Sequence, residues 1–233
     1  MAGSLPHGRR RPGVTLPSPD RTAFVRANTT LRTLPHVPQL RLHLADEAHD
    51  LWHRTHDDLE AIGLQPPFWA FAWAGGQGLA RYVLAHPGLV AGRHVLDFAT
   101  GSGLVAIAAA KAGAAKVTAV DIDAYCGAAV ALNATANGVS VDFRQADLVG
   151  TDEGWDVVLA GDVFYDKAFC DHFLPWLRAL AGRGAEVLVG DPGRAYLPDG
   201  LESLAVSFVP VSLAIEGDDI KRTTVWRFRS PSD

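Results

Sequence analysis

The chain has 233 residues, of which 48% are hydrophobic, and its formal net charge is −5. A chain of this size and composition can bury the core of one α/β domain without a disulfide or a metal to stabilise it. Basic residues cluster only near the N-terminus, at Arg9-Arg10-Arg11, which argues against a nucleic-acid substrate. No apolar run reaches the about 20 residues of a membrane span and no secretory signal is present, so we expect a cytoplasmic protein.

The N-terminal residues 1–22 are rich in proline, glycine and arginine, a composition typical of a disordered tail. Because no acid precedes Asp20, a mitochondrial transit peptide and a matrix location remain the alternative. Residues 23–233 are expected to form one domain, in which about 23–90 are an N-terminal helical cap. Within that cap we predict helices at 23–32 and 46–62 and a short strand at 40–44.

Three histidines of the second predicted helix, His49, His53 and His56, lie three and four residues apart. This spacing places them on one face, where they could hold a metal. The alternative is an ordinary solvent-exposed face, and we prefer it, because no cysteine or neighbouring motif completes a metal site. The two cysteines, Cys126 and Cys170, also lack metal spacing and are expected to be reduced thiols in helices.

The most informative stretch runs from His94 to Ile107 and predicts a buried strand, a glycine turn and the start of a helix. Gly101 and Gly103 allow a tight turn and a close approach of the backbone to a ligand. A ligand in that turn would face helix N–H groups and the positive end of a helix dipole.

Two cofactors fit this turn. The segment 101–106 matches the dinucleotide pattern G-x-G-x-x-A, with Asp121 about 20 residues further on. Asp97, however, stands four positions before the G-x-G, where a carboxylate would repel a pyrophosphate but can lie near the ammonium of S-adenosylmethionine. We therefore favour S-adenosylmethionine, with S-adenosylhomocysteine as the product.

The ends of the next two predicted strands supply further cofactor candidates. Asp121 ends the second strand and can accept both ribose hydroxyl protons, and Ile122 would pack against the adenine. Asp147 follows a third strand expected at 139–143 and is placed to accept from the adenine amino group, or else is only a solvated loop residue.

An aromatic and glycine-rich stretch spans residues 65–82, and its last residues begin a helix expected at 79–86. One interpretation is a hydrophobic strap over the core. The other is a lid over the cofactor, in which Trp73 attracts the sulfonium and Gly76 lets the backbone approach the ligand.

The fourth strand ends in Gly161-Asp162-Val163-Phe164-Tyr165. In a doubly wound sheet, the loops after the first and fourth strands flank the ligand site, so Asp162 and Tyr165 are candidate catalytic residues and Ala160 a candidate cofactor contact. A carboxylate there can orient an ammonium as it loses its proton to solvent, and methyl transfer depends mainly on positioning. The structural alternative is that Asp162 caps the next helix and Tyr165 is a core residue.

The C-terminal part predicts a helix at 166–181, a strand at 186–189 and two further strands at 204–213 and 223–228. The turn Gly190-Asp191-Pro192-Gly193-Arg194 is expected to be structural; the alternative is that Arg194, which lies at the ligand edge of the sheet, contacts the substrate. The acidic segment 216–219 is expected to be a solvated hairpin; the alternative is that it receives a basic peptide or a lysine. Together these elements predict an α/β fold with a Rossmann-like, doubly wound sheet of seven strands.

Three motifs together resemble class I methyltransferases, and more closely the electron transfer flavoprotein β-subunit lysine methyltransferases and their bacterial relatives. They are the aromatic and glycine stretch 67–77, the turn Asp97-Phe98-Ala99-Thr100-Gly101-Ser102-Gly103, and Asp162-Val163-Phe164-Tyr165-Asp166. The resemblance covers about residues 23–229.

The resemblance implies six parallel strands and one antiparallel strand. It also implies S-adenosylmethionine binding by Trp73, Gly101, Gly103 and Asp121, with Asp162 and Tyr165 serving a target lysine. One departure is Ala99, which replaces the first glycine of the wider class's G-x-G-x-G.

The first hypothesis for function is therefore a protein-lysine N-methyltransferase, acting without a metal on the electron transfer flavoprotein β subunit, and expected to be a monomer. Three alternatives stay open. They are a nicotinamide-like small-molecule N-methyltransferase, a ribosomal-protein methyltransferase resembling those of protein L11, and a non-catalytic dinucleotide-binding module.

Overall fold

A computed structural model describes residues 20–46 and 66–229. The helices of this part are α1 (Arg21–Ala27), α2 (Ala74–Ala85), α3 (Leu104–Lys111), α4 (Ala124–Asn137), α5 (Lys167–Gly182) and α6 (Leu213–Glu216). The strands are β1 (Thr30–Thr33), β2 (Arg41–Leu44), β3 (His94–Phe98), β4 (Lys116–Asp121), β5 (Asp142–Gln145), β6 (Val157–Gly161), β7 (Glu186–Asp191), β8 (Glu202–Pro210) and β9 (Ile220–Arg227). Single 3-10 turns lie at Phe68–Ala70 and Pro87–Leu89.

Seven strands form the central sheet, in the order β5-β4-β3-β6-β7-β9-β8. Strand β9 is antiparallel to both of its neighbours, and the other six strands are parallel to one another. The sheet prediction is thereby confirmed. The chain changes direction across the sheet between β3 and β6, and ligands of doubly wound sheets bind beside that point, at the carboxyl ends of the strands.

The central strands are buried because helices cover both faces of the sheet. Residues 95–98 of β3 and 157–160 of β6 are buried along their length, as their apolar runs predict for a parallel sheet. Side chains of α2, α3 and α4 pack on one face, and α5 packs on the other with Phe173 and Leu177. This arrangement holds the ends of β3 and β6 rigidly side by side.

The predicted helix at 23–32 is wrong in its second half. Asp20 accepts a hydrogen bond from the backbone of Ala23 and starts α1 earlier than expected, and the helix ends at Ala27. The following residues form β1, which pairs antiparallel with β2; threonine at both ends of β1 suits a strand better than a helix. The strand expected at 40–44 is confirmed as β2.

Side chains of α4 hold this small two-stranded sheet against the domain. Asn133 Oδ1 accepts from the backbone N–H of His43, and Asn137 Oδ1 accepts from that of Arg41, at 2.6 and 3.1 Å. The predicted helix at 46–62 and its three histidines lie outside the described residues, apart from Asp46, which is not helical.

Cys126 in α4 and Cys170 in α5 are buried and unbridged, which confirms the expectation of free thiols in helices. Of the helices in the two described segments, none is long and apolar enough to cross a membrane.

Candidate functional site

A cavity of about 570 Å³ lies at the carboxyl ends of β3, β4 and β6, a size within the usual range of small-molecule sites. Most of the residues predicted for the site line its wall, namely Trp73, Gly76, Asp97, Gly101, Asp121, Ile122, Asp147, Asp162 and Tyr165. Gly103 and Ala160 do not. Ala160 is buried in the core, and its neighbour Gly161 lines the cavity instead.

The turn after β3 has the left-handed backbone that its glycines predict, with φ of +52° at Gly101 and +81° at Gly103. A Cβ on Gly103 would lie 2.9 Å from Val130 Cγ2 of α4. Gly103 therefore allows α3 to start against α4. Ala99 also has a left-handed φ, +55°, so the departure from the wider class's glycine is a point of backbone strain.

We expect Ala99→Gly to raise the free energy of unfolding by about 0.5–1 kcal/mol. Glycine removes the cost of a left-handed backbone conformation, about 1–2 kcal/mol, but it also increases the conformational entropy of the unfolded chain, which offsets part of the gain. Urea unfolding measures the change. The matched control is Ala112→Gly, since Ala112 has a φ of −78° and should lose stability. Equal losses at both positions would contradict the strain at Ala99.

Asp97 is a buried carboxylate at the end of β3, only 1% exposed. Its Oδ2 accepts from Thr100 Oγ1 at 2.5 Å and from the backbone N–H of Ala106 at 2.9 Å. Burial raises the pKa of Asp97 to about 7, against the lowering effect of these hydrogen bonds. A cationic ligand group in the cavity would favour its charged form.

Asp121 joins the end of β4 to the glycine turn. Its Oδ2 accepts from the backbone of Gly101 and its Oδ1 from that of Asp123, both at 3.0 Å. Ile122, the next residue, is 69% exposed at the cavity wall. Such an exposed apolar side chain suits a flat ring partner.

Asp147 already uses both carboxylate oxygens. Oδ1 accepts from the backbone of Val149, and Oδ2 pairs with His172 Nε2 at 2.9 Å. The hydrogen bond from the Val149 amide and the neighbouring His172 lower the pKa of Asp147, so the side chain is an anion at the cavity mouth.

The glycines expected in a lid loop lie instead in the first turns of α2, which begins at Ala74 rather than at residue 79. The reason is a close approach of backbones. A Cβ on Gly75 would overlap the carbonyl oxygen of Gly190 at the end of β7, and a Cβ on Gly161 would lie 2.7 Å from Gly76 Cα. Packing against the sheet thus outweighs the low helix propensity of glycine.

The aromatic residues before α2 do line the cavity. Trp73 Nε1 donates to the carbonyl of Phe68 at 3.0 Å, and the ring of Phe68 lies 5.7 Å from those of both Trp73 and Tyr165. Phe68 and Tyr165 are 39% and 49% exposed, so they form an accessible rim, and Tyr165 is not a core residue.

Asp162 follows β6 with a left-handed φ of +58° and a 7% exposed side chain. Its Oδ2 accepts from the backbone N–H of Gly76 at 2.9 Å, and Arg194 donates to its Oδ1 at 2.7 and 3.2 Å. Burial raises the pKa of Asp162 to about 7; Arg194 lowers it and Glu216 raises it. Asp166, not Asp162, caps α5, so the expected alternative, in which Asp162 caps the next helix, is wrong; Asp162 instead accepts from the first turn of α2.

Two residues at this site entered the sequence analysis only as alternatives, not as preferred site residues. Arg194 was expected in a structural turn and Glu216 in a solvated hairpin, yet Arg194 bridges Asp162 and Glu216. Glu216 is buried, with a 3% exposed side chain, and belongs to the short helix α6. Their only sequence signal was the position of Arg194 after β7, at the ligand edge of the sheet.

Within residues 20–46 and 66–229, no cluster of three or more His, Cys, Asp or Glu side chains is arranged to hold a metal.

Comparisons with known proteins give the family. The ribosomal protein L11 methyltransferase (PrmA) family model matches residues 84–162. The electron transfer flavoprotein β-subunit lysine methyltransferase of Xenopus laevis is 37% identical over 88% of this chain and 86% of its own. The enzyme of the same name from Danio rerio is 36% identical over 84% of this chain and 78% of its own.

The fold is shared with a solved Thermoplasma acidophilum protein, 1320, at a TM-score of 0.50 and 19% identity, over 67% of this chain and 91% of that one. The chain therefore belongs to the family of electron transfer flavoprotein β-subunit lysine methyltransferases, and it is a class I, S-adenosylmethionine-dependent protein-lysine methyltransferase.

Proposed function

We propose that this protein methylates lysine side chains of the electron transfer flavoprotein β subunit of its own organism, and that the reaction takes place in the cavity between Asp97 and Asp162. The observation that carries the proposal is the pairing of a buried, ionisable Asp162 with an accessible aromatic rim. The names of the relatives, such as the Xenopus laevis enzyme, specify the electron transfer flavoprotein β subunit as their substrate. The cytoplasmic location and the monomeric state expected from the sequence stay predictions.

The proposed cofactor site is consistent with the chemistry of the cavity wall. Asp97 offers a buried carboxylate to the ammonium of S-adenosylmethionine, and the Asp121 carboxylate offers acceptors to the ribose hydroxyls. Ile122 and Asp147 would hold the adenine, and Gly101 leaves its side of the turn open, since a Cβ there would find no atom closer than 3.7 Å. Trp73 and Gly76 complete the wall near Asp162.

Bound in this site, the cofactor supplies an electrophilic methyl group on a sulfonium. The protein's part is to bring a neutral amine in line with it. Asp162 would attract the lysine ammonium, orient it and accept an N–H hydrogen bond after the proton leaves to solvent. The Tyr165 hydroxyl would fix the amine by a hydrogen bond, and Phe68 would cover the lysine side chain.

Purified protein, methyl-labelled S-adenosylmethionine and the purified β subunit test this proposal. We expect label in the β subunit, located on lysine by mass spectrometry. Parallel reactions with ribosomal protein L11 and with nicotinamide test the alternatives. Label in either of these and none in the β subunit would overturn the proposal.

The affinity for S-adenosylhomocysteine is expected to weaken as the pH falls below about 7, by up to about tenfold per pH unit, because the ligand ammonium requires Asp97 to be charged. The pKa of Asp97 is raised in the free protein, so protonation competes with the ligand near neutral pH. Calorimetry between pH 5.5 and 8.5 measures the dependence.

Two variants separate the sources of this pH dependence. Asp97→Asn should bind S-adenosylhomocysteine weakly at every pH. Asp162→Asn should keep the wild-type dependence of affinity on pH, because S-adenosylhomocysteine carries no sulfonium charge for Asp162 to attract. The role of Asp97 would be contradicted if the affinity of the wild-type protein did not change with pH, or if only Asp162→Asn removed the pH dependence.

A further inference from the structure

A chain of charged side chains extends from Asp162 to the start of α2. Arg194 donates to Asp162 Oδ1 through two nitrogens and to Glu216 Oε2 at 3.0 Å. Glu216 Oε1 in turn accepts from the backbone N–H of Ala74 at 3.0 Å. The guanidinium therefore joins the end of β6 to α6, and the Glu216 carboxylate joins α6 to the start of α2.

The backbone holds Arg194 in this place. Asp191 Oδ1 accepts from the N–H groups of both Gly193 and Arg194, at 2.6 and 2.7 Å, which fixes the turn after β7. The guanidinium carbon then lies 5.8 Å from the centre of the Trp73 ring, so an aromatic face limits its movement. The Arg194 side chain is 23% exposed, too little to act as a freely solvated cation.

The start of α2 is completed by the same network. Trp73 occupies the cap position and supplies no side-chain cap to the helix. Instead, Glu216 and Asp162 accept from the N–H groups of Ala74 and Gly76, two of the donors that every helix leaves unpaired at its start. Each Asp162 oxygen thus has its own donor: Oδ1 accepts from Arg194 and Oδ2 accepts from the first turn of α2.

The cluster has one net negative charge when Asp162, Glu216 and Arg194 are all ionised, which is the sign that a lysine ammonium requires. We propose that Arg194, anchored by Glu216, is a positioning residue that aims the Asp162 carboxylate and keeps it charged for the target lysine. This inference rests on the proposed role of Asp162, and Arg194 itself is not given a contact with the substrate.

The charged groups around Asp162 act in opposite directions. Arg194, from the turn after β7, lowers the pKa of Asp162, and Glu216, from α6, raises it together with burial. Helix α2 contributes only the Gly76 N–H. Two more carboxylates lie at this edge of the sheet, Asp191 on β7 and Asp97 on β3, and burial raises the pKa of both.

Three variants test the proposal through the pH dependence of kcat/KM with the β subunit as substrate. Arg194→Gln should move the acid limb of the profile to higher pH by at least about one unit, since an opposite charge at this distance shifts a pKa by about 1–3 units. It should also lower kcat at pH 7 about tenfold or more. Arg194→Lys should recover most of the loss, and Glu216→Gln should move the acid limb to lower pH.

A second readout does not depend on the substrate. The pKa of the Asp162 carboxyl, followed by NMR in protein labelled at aspartate and assigned with Asp162→Asn, should rise in Arg194→Gln and fall in Glu216→Gln. If the wild-type protein fails to methylate the β subunit while these two shifts occur, the proposed substrate fails and the positioning role stands.

Three results would overturn the positioning role. They are an unchanged acid limb in Arg194→Gln, the same direction of shift in both variants, and a higher kcat/KM in Arg194→Gln. The last would mean that Arg194 competes with the lysine for Asp162. If Arg194→Gln does not fold, as judged by a missing thermal shift with S-adenosylhomocysteine, an unchanged Asp162 pKa in Glu216→Gln would still contradict the proposal.

Discussion

Asp162→Asn is expected to lower kcat at least about 100-fold, within the range by which a positioned acid–base group accelerates a reaction, while leaving the affinity for S-adenosylhomocysteine within a few-fold of wild type. Asparagine removes the charge that attracts the lysine ammonium. It keeps the backbone conformation, because asparagine tolerates the left-handed φ of +58°, and its single side-chain oxygen can accept from either Gly76 or Arg194 but not from both. Asp162→Ala should lose turnover as well.

The measurement combines single-turnover methyl transfer with calorimetry of S-adenosylhomocysteine binding. Asp171→Asn is the matched control, since Asp171 is an exposed residue of α5 paired with Lys167 and should keep wild-type turnover. Asp162→Asn with near wild-type kcat would show that the carboxylate does not orient the amine. Loss of cofactor binding in parallel with turnover would assign Asp162 to the cofactor.

Gly75→Ala is expected to lower the free energy of unfolding by at least about 3 kcal/mol, at the upper end of the cost of overpacking. A Cβ at this position would overlap the carbonyl oxygen of Gly190 and lie 2.5 Å from Asp162 Oδ2. Two of the three nearest atoms belong to the backbone of Gly190 in β7. A backbone cannot turn aside as the end of a flexible side chain can, so α2 and β7 would have to separate. Catalytic activity should fall with stability, because α2 would pull away from Asp162.

The neighbouring substitution Gly76→Ala separates steric overlap from helix propensity. Its Cβ would meet no atom closer than 3.8 Å, and alanine is favoured over glycine in a helix by up to about 1 kcal/mol, so we expect no loss of stability. Because Gly76 lines the cavity, the added methyl group should weaken S-adenosylhomocysteine binding. Urea unfolding with unchanged m-values measures both variants, and a stable Gly75→Ala would contradict the close packing of α2 on β7.

The sequence predicts the core of this fold well, because its signals are local. The apolar runs of β3 and β6 are typical of central parallel strands, and Gly101 after Asp97 predicts both the turn and the ligand edge. Asp121 and Asp162 follow from the same rule, since the carboxyl ends of parallel strands meet at one edge of the sheet.

The parts that the sequence does not predict depend on distant partners. The start of α2 at Ala74 is set by Gly190, more than 100 residues further along the chain, and not by helix propensity. Likewise, Glu216 looks like part of an acidic, solvated segment until the fold brings it to Arg194. Contacts between residues so far apart in the chain leave no periodic pattern in the sequence from which they could be predicted.

The central claim is that the methyl group goes to a lysine of a protein through a site built on Asp162. Its most direct test is to digest the labelled β subunit completely to amino acids after reaction with the wild-type protein and with Asp162→Asn. We predict label in methylated lysine with the wild-type protein and almost none with the variant. Label in any other amino acid, or equal labelling by the two proteins, would contradict the account.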